Sequence, residues 1–348
     1  MSKVTMRQIA QLTGVSAMTV SRALKDNPRI SAATRKRICR VAEDLGYAPH
    51  PYVSALMSGL RRTRLEEPKV NLAVFYFGER AGIVKHTFYQ GIVARAQSSG
   101  YAVESVRYDD PATTPARLRD ILLSRGIRGI VLMPAPDGFA SIDFNFDGFA
   151  AATLGHTIVH PPLPRVANDT YSVAFRTLDE LRDRGYRRIG LIINDYVNRL
   201  ARFLYSAAIL AYRAHVAPQL HLVEHIMADP AGEPASMNKL IRWIRTEKLD
   251  AVICPLFGIP IYELLIKNGI RIPQDVAYIH LLDYPDPDVT SMRQMGRMMG
   301  GKAVDLVIAM INRNEFTPPQ YPQVVGTLNQ WHEGRTAPPR PSAPRLVG

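Results

Sequence analysis

The sequence predicts an N-terminal all-α helix-turn-helix module followed by a larger, two-lobed α/β body with parallel sheets. Three observations carry this expectation. Three short amphipathic segments, each led by a capping residue, fill the first 49 positions. From residue 70 onward, apolar strand-forming runs alternate with amphipathic helical runs, the pattern of strand–helix–strand units. Charge is unevenly placed: residues 1–69 hold 13 Lys and Arg against 5 Asp and Glu, a net +8 out of +12 for the 348-residue chain. An excess concentrated in a small helical module fits a polyanionic partner there and not on the body.

The first helix is expected from residue 6 to 12. Thr5 and Gln8 have capping-box spacing, Ile9 and Leu12 mark an apolar stripe, and Gly14 ends the helix. Ser16 caps a second helix over 17–24, with Val20, Ala23 and Leu24 facing inward. Asn27-Pro28 forms a turn, and Ser31 caps a third helix running to Gly46, its inner face Ile38, Val41, Ala42 and Leu45. Two short helices joined by a glycine-containing turn, with a third as support, form the helix-turn-helix pattern, in which the second helix lies in the major groove. Its outward residues Ala17, Met18, Ser21 and Arg22 suit contact with base edges or phosphates. By pattern alone, three such helices also fit an ordinary small bundle.

At this point a resemblance becomes close. The segment VTMRQIAQLTGVSAMTVSRALKDNPRISAATRKRICRVAEDLGYAP resembles the headpiece of the lactose-repressor and galactose-repressor (LacI/GalR) family. Gly14-Val15-Ser16, Thr19-Val20-Ser21-Arg22, Ile30-Ser31, Thr34-Arg35 and Leu45-Gly46-Tyr47-Ala48-Pro49 carry it. The resemblance implies that Ala17 and Met18 are the leading base-reading pair. It implies that Ser16, Thr19, Ser21 and Arg22 orient the helix or bind the backbone, and that Asn27 lies in a phosphate-contacting loop. Thr5, Ser31 and Tyr47 complete the implied DNA-binding set within residues 1–49. Residues 50–69 then resemble the family's hinge helix and linker. His50 opens the hinge, and Leu56 matches the leucine that wedges into a central minor-groove step. The family commonly has Asn, Ala and Arg where this chain has His50, Val53 and Ser54, which bears on individual hinge contacts. Without the resemblance, Tyr52, Leu56 and Leu60 also fit an interdomain seam, and the arginines of Arg61-Arg62-Thr63-Arg64 a solvated connection.

In the body, strands are expected over 70–77, 101–106, 127–133, 187–193, 251–254 and 276–281. Helices are expected over 88–100, 118–125, 171–184, 200–215, 237–247, 259–268 and 300–311. The strands are continuous apolar runs, as strands buried on both faces are. Gly185-Tyr186-Arg187-Arg188-Ile189-Gly190 and Gly269-Ile270-Arg271-Ile272-Pro273 are among the landmarks that resemble the family's periplasmic-binding-protein-like core. The resemblance implies two discontinuous lobes over residues 70–332, with chain crossings near Ala167, Leu282 and Val324 and an effector in the cleft between them. Residues 333–348, rich in proline and arginine, are expected to be a flexible tail or loose surface strand, with Trp331 the last core anchor.

The resemblance places Phe88, Asn168, Asp169, Arg199, Cys254, Leu282 and Asp283 around that cleft. Arg199 matches the arginine that clamps effector oxygens, although it also fits an ordinary surface position, and Asp283 a turn. Arg202 occupies a position usually held by glycine, where it fits either an added charge for an anionic ligand beside Arg199 or a solvent-facing side chain. Cys254-Pro255 replaces an Asn-Asp pair, and Leu282 takes the place of an aspartate that often binds sugar hydroxyls. Buried hydroxyls need convergent partners. These replacements therefore favour a less polar or an anionic ligand, such as a sugar acid or sugar phosphate, over a plain neutral sugar, or no effector at all.

No Walker loop, nucleophile elbow or dinucleotide fingerprint occurs, so the chain is not expected to be an enzyme and no catalytic residue or cofactor is implied. His221 and His225 lack a third ligand at metal-site spacing, and no metal is implied. Two cysteines, Cys39 and Cys254, argue against a disulfide framework. The opening MSKVTMRQIAQ has no apolar signal core and no run nears the roughly 18 apolar residues of a membrane span, so a cytoplasmic protein is expected. The expected function is that of a regulator, more readily repressor than activator, acting on a pseudo-palindromic double-stranded operator as a homodimer under allosteric control by a small ligand. An effector-independent regulator and a cytoplasmic solute-binding protein are the alternatives. The headpiece argues against the second.

Overall fold

The computed structural model describes residues 6–23, 30–45, 70–136, 138–227 and 233–340. The chain forms two compact units, residues 1–68 and 69–348.

The first unit contains α1 (Met6–Thr13), α2 (Ala17–Ala23) and α3 (Ala32–Asp44). Ile9, Ala10, Val20, Ala23, Ile38 and Ala42 form its core. Leu12 departs from expectation: it is 65% exposed, and Thr13 is buried in its stead. On a helix, position 13 lies about 40° from position 9 and position 12 about 60° on the other side. Thr13 covers its polar cost by donating its hydroxyl to the Ile9 carbonyl at 2.6 Å.

The second unit opens with β1 (Val70–Tyr76), α4 (Arg80–Lys85), α5 (Thr87–Ser98), β2 (Tyr101–Arg107), α6 (Pro115–Ser124), β3 (Gly129–Leu132), β4 (Ala140–Ser141), β5 (Ala150–Leu154), β6 (Ile158–His160) and β7 (Arg165–Asn168). It continues with α7 (Thr170–Asp183), β8 (Arg188–Asn194), α8 (Asp195–Leu200), α9 (Leu204–His215), β9 (His221–Met227), α10 (Pro234–Thr246), β10 (Ala251–Cys254), α11 (Ile261–Lys267), β11 (Ala277–His280), β12 (Ser291–Arg293), α12 (Gly296–Arg313), β13 (Val324–Thr327) and β14 (Gln330–His332). One sheet has the order β13-β7-β5-β3-β1-β2 and is parallel throughout. The other, β14-β12-β11-β10-β8-β9, is parallel except for the β12–β14 pair. A parallel sheet needs cover on both faces, and β3, β5, β10 and β11 are buried along their whole length.

These sheets define two discontinuous lobes. The chain crosses first between β7 and α7, and last between β13 and β14. The second crossing lies between β12 and α12, at residues 293–296, and not near Leu282. The reason is β12 itself: Ser291 pairs with His280 of β11, which keeps residues 282–293 in the second lobe. The helix expected over 200–215 is broken, because Arg202 and Phe203 adopt φ of 53° and 60° between α8 and α9. Residues 333–340 are not a loose tail. Ala337 is fully buried, the Thr336 hydroxyl donates to the Tyr278 carbonyl at 2.6 Å, and Tyr186 donates to the Pro338 carbonyl at 2.7 Å. Isolated small side chains here fill gaps left by a proline-rich strap, a pattern that helix and strand periodicity do not report.

In the first lobe α12 lies against α5 through glycine. A Cβ on Gly300 would overlap the Phe88 carbonyl, whereas one on neighbouring Gly301 would sit 3.5 Å from the Arg95 Cβ, an ordinary contact. Gly300→Ala is therefore expected to destabilise by about 1–3 kcal/mol despite the helical gain of alanine. Gly301→Ala should be neutral or stabilise by up to about 1 kcal/mol. Urea melts of the two variants check this; equal effects would remove the packing argument.

In the second lobe His280 is 2% exposed, hydrogen-bonds the Tyr278 hydroxyl through Nδ1 at 3.1 Å, and is pushed down by burial to about 4. Unfolding returns it to about 6.5, so the unfolded chain binds the extra proton and stability falls as pH drops from 7 toward 4. Between pH 7 and 5 this group contributes a loss on the order of 2 kcal/mol. His280→Gln should flatten the pH dependence of the denaturation midpoint by that amount; an unchanged slope would contradict the assignment.

Candidate nucleic-acid interface and interlobe cleft

The turn between α1 and α2 is built from local bonds. Gly14 has φ of +63°, and the Val15 amide donates to the Ala10 carbonyl at 3.1 Å. Ser16 accepts from the Thr19 amide at 3.1 Å and shares a hydroxyl bond with Thr19 at 2.9 Å, which caps α2. Ser31 accepts from the Thr34 amide at 3.3 Å and caps α3. With Val20 and Ala23 turned inward, Met18 stands 64% exposed near the start of α2. A single exposed apolar side chain is ordinary on a protein surface; at the leading end of α2 a methionine also suits contact with an apolar base edge such as a thymine methyl. Ala17, Ser21 and Arg22 lie on α2, but their side chains fall outside the described residues, as do Thr5, Asn27, Tyr47, His50 and Leu56 altogether. Lys36, Arg37 and Arg40 are exposed on α3. They are cationic candidates outside the set named from the sequence, although the run Arg35-Lys36-Arg37 is visible there.

Around the cleft, the seven residues proposed from sequence have different environments. Phe88 is buried in the first-lobe core, with its ring edge 3.2 Å from where a Cβ on Gly296 would be. Asp169 spends both oxygens on Ser172, accepting from its amide at 3.0 Å and its hydroxyl at 2.7 Å, and so caps α7. Asn168 ends β7 with Oδ1 buried and without a protein hydrogen-bond partner, an acceptor open at the first crossing. Arg199 is exposed and ion-paired with Asp195 one turn earlier on α8. Cys254 is fully buried, and burial raises its thiol to about 11, so it is a neutral packing residue. Leu282 is half-buried. Asp283 is exposed on one side, yet desolvation by the protein on the other raises its carboxyl; the Gln294 backbone and Arg293 oppose that shift. Asn168 and Asp169 thus mark the first crossing, and Asp283 reaches the second.

One contact between the lobes comes from residues that the sequence did not single out. Gly138 of the first lobe has φ of +108°, and a Cβ there would lie 3.1 Å from the Tyr196 ring of α8. Tyr196 meets Phe257 edge-on with ring centroids 6.2 Å apart. His156, just beyond β5, has a buried Nδ1 without a protein partner and is pushed down to about 4 by burial and by Arg165 and Arg202. Arg165 is itself lowered by burial and by Arg202. Arg165 donates to the Gly155 carbonyl at 3.3 Å and the Ile158 carbonyl at 3.0 Å, which ties it to the loop that carries His156. Among the described residues no His, Cys, Asp and Glu side chains gather in threes as a metal site requires, and no helix is long and apolar enough to cross a membrane.

Comparison with known proteins bears on both parts. Residues 5–50 match the family model of bacterial regulatory proteins, lacI family, and residues 178–329 match that of the periplasmic binding protein-like domain. The chain is 24% identical over 321 residues to the HTH-type transcriptional repressor CytR of Escherichia coli (strain K12), covering 87% of this chain and 89% of CytR. It is 26% identical over 339 residues to the HTH-type transcriptional regulator CelR of Thermobifida fusca, covering 90% and 94%. Among solved structures, the lac repressor dimer bound to operator and the anti-inducer ONPF superposes with a TM-score of 0.52 at 16% identity, over 97% of this chain and 99% of that one. A complex of the regulator CelR with cellobiose superposes at 0.53 with 19% identity, over 96% and 100%. A helix-turn-helix headpiece that matches the lacI-family model, a two-lobed body that matches the periplasmic binding protein-like model and similarity to such regulators over most of the chain agree: the chain is similar to the LacI/GalR family of sequence-specific DNA-binding transcriptional regulators.

Proposed function

We propose that the protein is a cytoplasmic repressor that binds a pseudo-palindromic operator as a homodimer, and that a small ligand between the lobes of its body alters its operator affinity. The observation that carries this reading is a helix-turn-helix with an exposed Met18 at the leading end of α2, in a chain that continues into a two-lobed body. The names of related proteins support it: CytR is a transcriptional repressor, and the lac repressor structure is a dimer on operator.

In this mechanism α2 enters the major groove with Met18 and Ala17 toward base edges, while Ser16, Thr19, Ser21 and Arg22 orient it against the backbone. Lys36, Arg37 and Arg40 of α3 supply phosphate attraction. Asn27, Tyr47 and His50 add backbone contacts, and Leu56 wedges into the minor groove at the dimer axis. The ligand acts through lobe closure, and it shifts operator affinity only by its differential affinity for the two closure states. Asn168 and Asp283, at successive crossings, are placed to sense that difference. With Cys254 and Leu282 in place of polar partners, a plain neutral hexose is a poor ligand.

The double variant Met18→Ala, Arg22→Ala is expected to lower specific operator affinity at least ten-fold, on the scale of one to two lost base contacts, with the body's melting unchanged. Footprinting and a thermal melt check this; an unaltered footprint and affinity would sink the assignment. Leu56→Ala is expected to reduce operator bending, read by gel mobility of circularly permuted fragments, more than it changes body stability. Full bending with full affinity would make Leu56 a packing residue.

A further inference from the structure

Residues 333–340 follow β14 and have no regular secondary structure of their own. They nevertheless extend a ladder. β12 and β14 pair antiparallel, Ser291 with His332, Met292 with Trp331 and Arg293 with Gln330. In the same register the Arg335 amide donates to the Asp288 carbonyl at 2.7 Å. Gly334 allows that approach, because a Cβ there would lie 2.4 Å from the Thr290 nitrogen and 2.5 Å from the Asp288 carbonyl oxygen. Thr336 then reaches β11. Its carbonyl accepts from the Tyr278 amide at 3.0 Å, its hydroxyl donates to the Tyr278 carbonyl at 2.6 Å, and that hydroxyl accepts from the Thr290 amide at 2.9 Å. β11 and β12 share a single ladder pair, His280 with Ser291, so Thr336 joins the two chains where their own ladder has ended.

Two arginines fasten the same strap to other elements of the lobe. Arg184, at the end of α7, forks onto both Glu333 oxygens at 2.7 and 2.5 Å, donates to the Ala337 carbonyl at 3.1 Å, and lies over the Trp331 ring, 4.8 Å from its centroid. Arg340 donates its amide to the Arg184 carbonyl at 2.9 Å and its guanidinium to Asp250 at 2.9 Å. The Asp250 carboxylate also takes the Arg187 and Arg188 amides at the start of β8. Nearly all of this hold is polar. Thr336 and Ala337 are buried, whereas Glu333, Arg335, Pro338, Pro339 and Arg340 are exposed. Release of the strap therefore uncovers little apolar surface, and local openings draw on segments of that kind. Pro338 and Pro339 restrict the released chain, so redocking costs less entropy than it would for an ordinary segment. β8 and β10, by contrast, lie in the apolar core of the lobe.

We propose that residues 333–340 are a releasable clasp that holds β12 and β14, the strands of the second lobe next to its second and third crossings. Docked, the clasp keeps both strands in one register and covers the backbone groups of Tyr278 and Thr290. Released by a local opening, it frees β12 and β14 while β8 and β10 stay folded. β12 depends on it because its other supports are few: the pair with His280, the ladder to β14, and the Asn329 bond to the Met292 carbonyl at 3.0 Å. β12 ends where the chain leaves for α12, and β14 begins two residues after β13, so the clasp sets how firmly both crossings are anchored in the second lobe. Gly334 and Thr336 are its positioning residues, and Arg184 and Arg340 its polar fasteners. The clasp needs neither ligand nor operator; every contact that defines it lies within the second lobe.

The test is amide hydrogen exchange of the full-length protein at several sub-denaturing urea concentrations, read residue by residue by fragmentation mass spectrometry. In the unmodified chain the amides of Tyr278, Thr290, Arg335 and Arg340 are expected to open together with one shallow urea dependence. They should be at least ten-fold less protected than Leu191 of β8 and Ile253 of β10. Gly334→Ala removes no bond and acts by overlap with the Thr290 backbone; Thr336→Val keeps the shape and removes the hydroxyl. Each should lower protection of those amides and of residues 330–332 a further ten-fold or more, and leave Leu191 and Ile253 within three-fold. Arg335→Ala, which removes an exposed side chain 3.5 Å from Asp288, should leave all of them within two-fold. If Thr336→Val affects Tyr278 and Thr290 alone, with Arg340 and residues 330–332 unchanged, Thr336 is a single local contact and the clasp is overturned. It is overturned equally if the four amides are as protected as Leu191, or if Gly334→Ala weakens β8 and β10 as much as the strap, since the strap is then part of one cooperative core. Should a variant fail to fold, the urea series on the unmodified chain decides alone.

Discussion

The body depends on how its three crossings are tied to one another. Thr327, at the last crossing, donates its hydroxyl to the Ala167 carbonyl at 3.2 Å, and its own carbonyl accepts from the Asp169 amide at 2.9 Å, so the first and third crossings form one strap. Two residues on, Asn329 is buried and donates through Nδ2 to the carbonyls of Met292 at 3.0 Å and Leu281 at 3.4 Å, which ties in the second. Buried backbone groups left unpaired cost about 1–3 kcal/mol each. These bonds therefore hold the three crossings together as one connected strap.

Much of this arrangement was legible in the residue pattern. Continuous apolar runs at Val70, Ile189 and Ala251 announce parallel strands, and capping residues Ser16 and Ser31 stand where helices begin. What escaped was set by geometry that no local pattern encodes. The short strand Ser291–Arg293 belongs to the second lobe because of one ladder pair with His280, and that pair moves the second crossing by about a dozen residues from Leu282. Thr13 displaced Leu12 by a rotation of the helix face. The strap through Thr336 and Ala337 is held by single buried bonds, and its proline content read as looseness.

The candidate site shows the same division. Cys254 and Leu282 were readable as losses of polar partners, since that argument needs only residue chemistry. The charge balance was not readable, because it depends on which acid reaches which arginine. Asp195 is four residues before Arg199 and neutralises it within α8. Arg182 lies beside Asp179 and Asp183, and Arg184 reaches Glu333. Among the described residues Arg165 and Arg202 make no ion pair, and net charge alone, nearly balanced over residues 70–348, does not report which arginines are paired.

The glycine contact between α5 and α12 has a consequence for how the molecule is made. Ala303, Val304, Val307 and Met310 of α12 cover one face of the first sheet, against Leu72, Val74, Val131, Ala150 and Ala152. Those strands leave the ribosome first, yet their cover lies beyond residue 296. At about 5–20 residues per second, translation of the intervening second lobe takes roughly 6–25 s. For that interval only Phe88, Ile92 and Ala96 of α5 cover that face, and the area that α12 fills stays open. The lobe that begins first is completed only when α12 and β13 have been made.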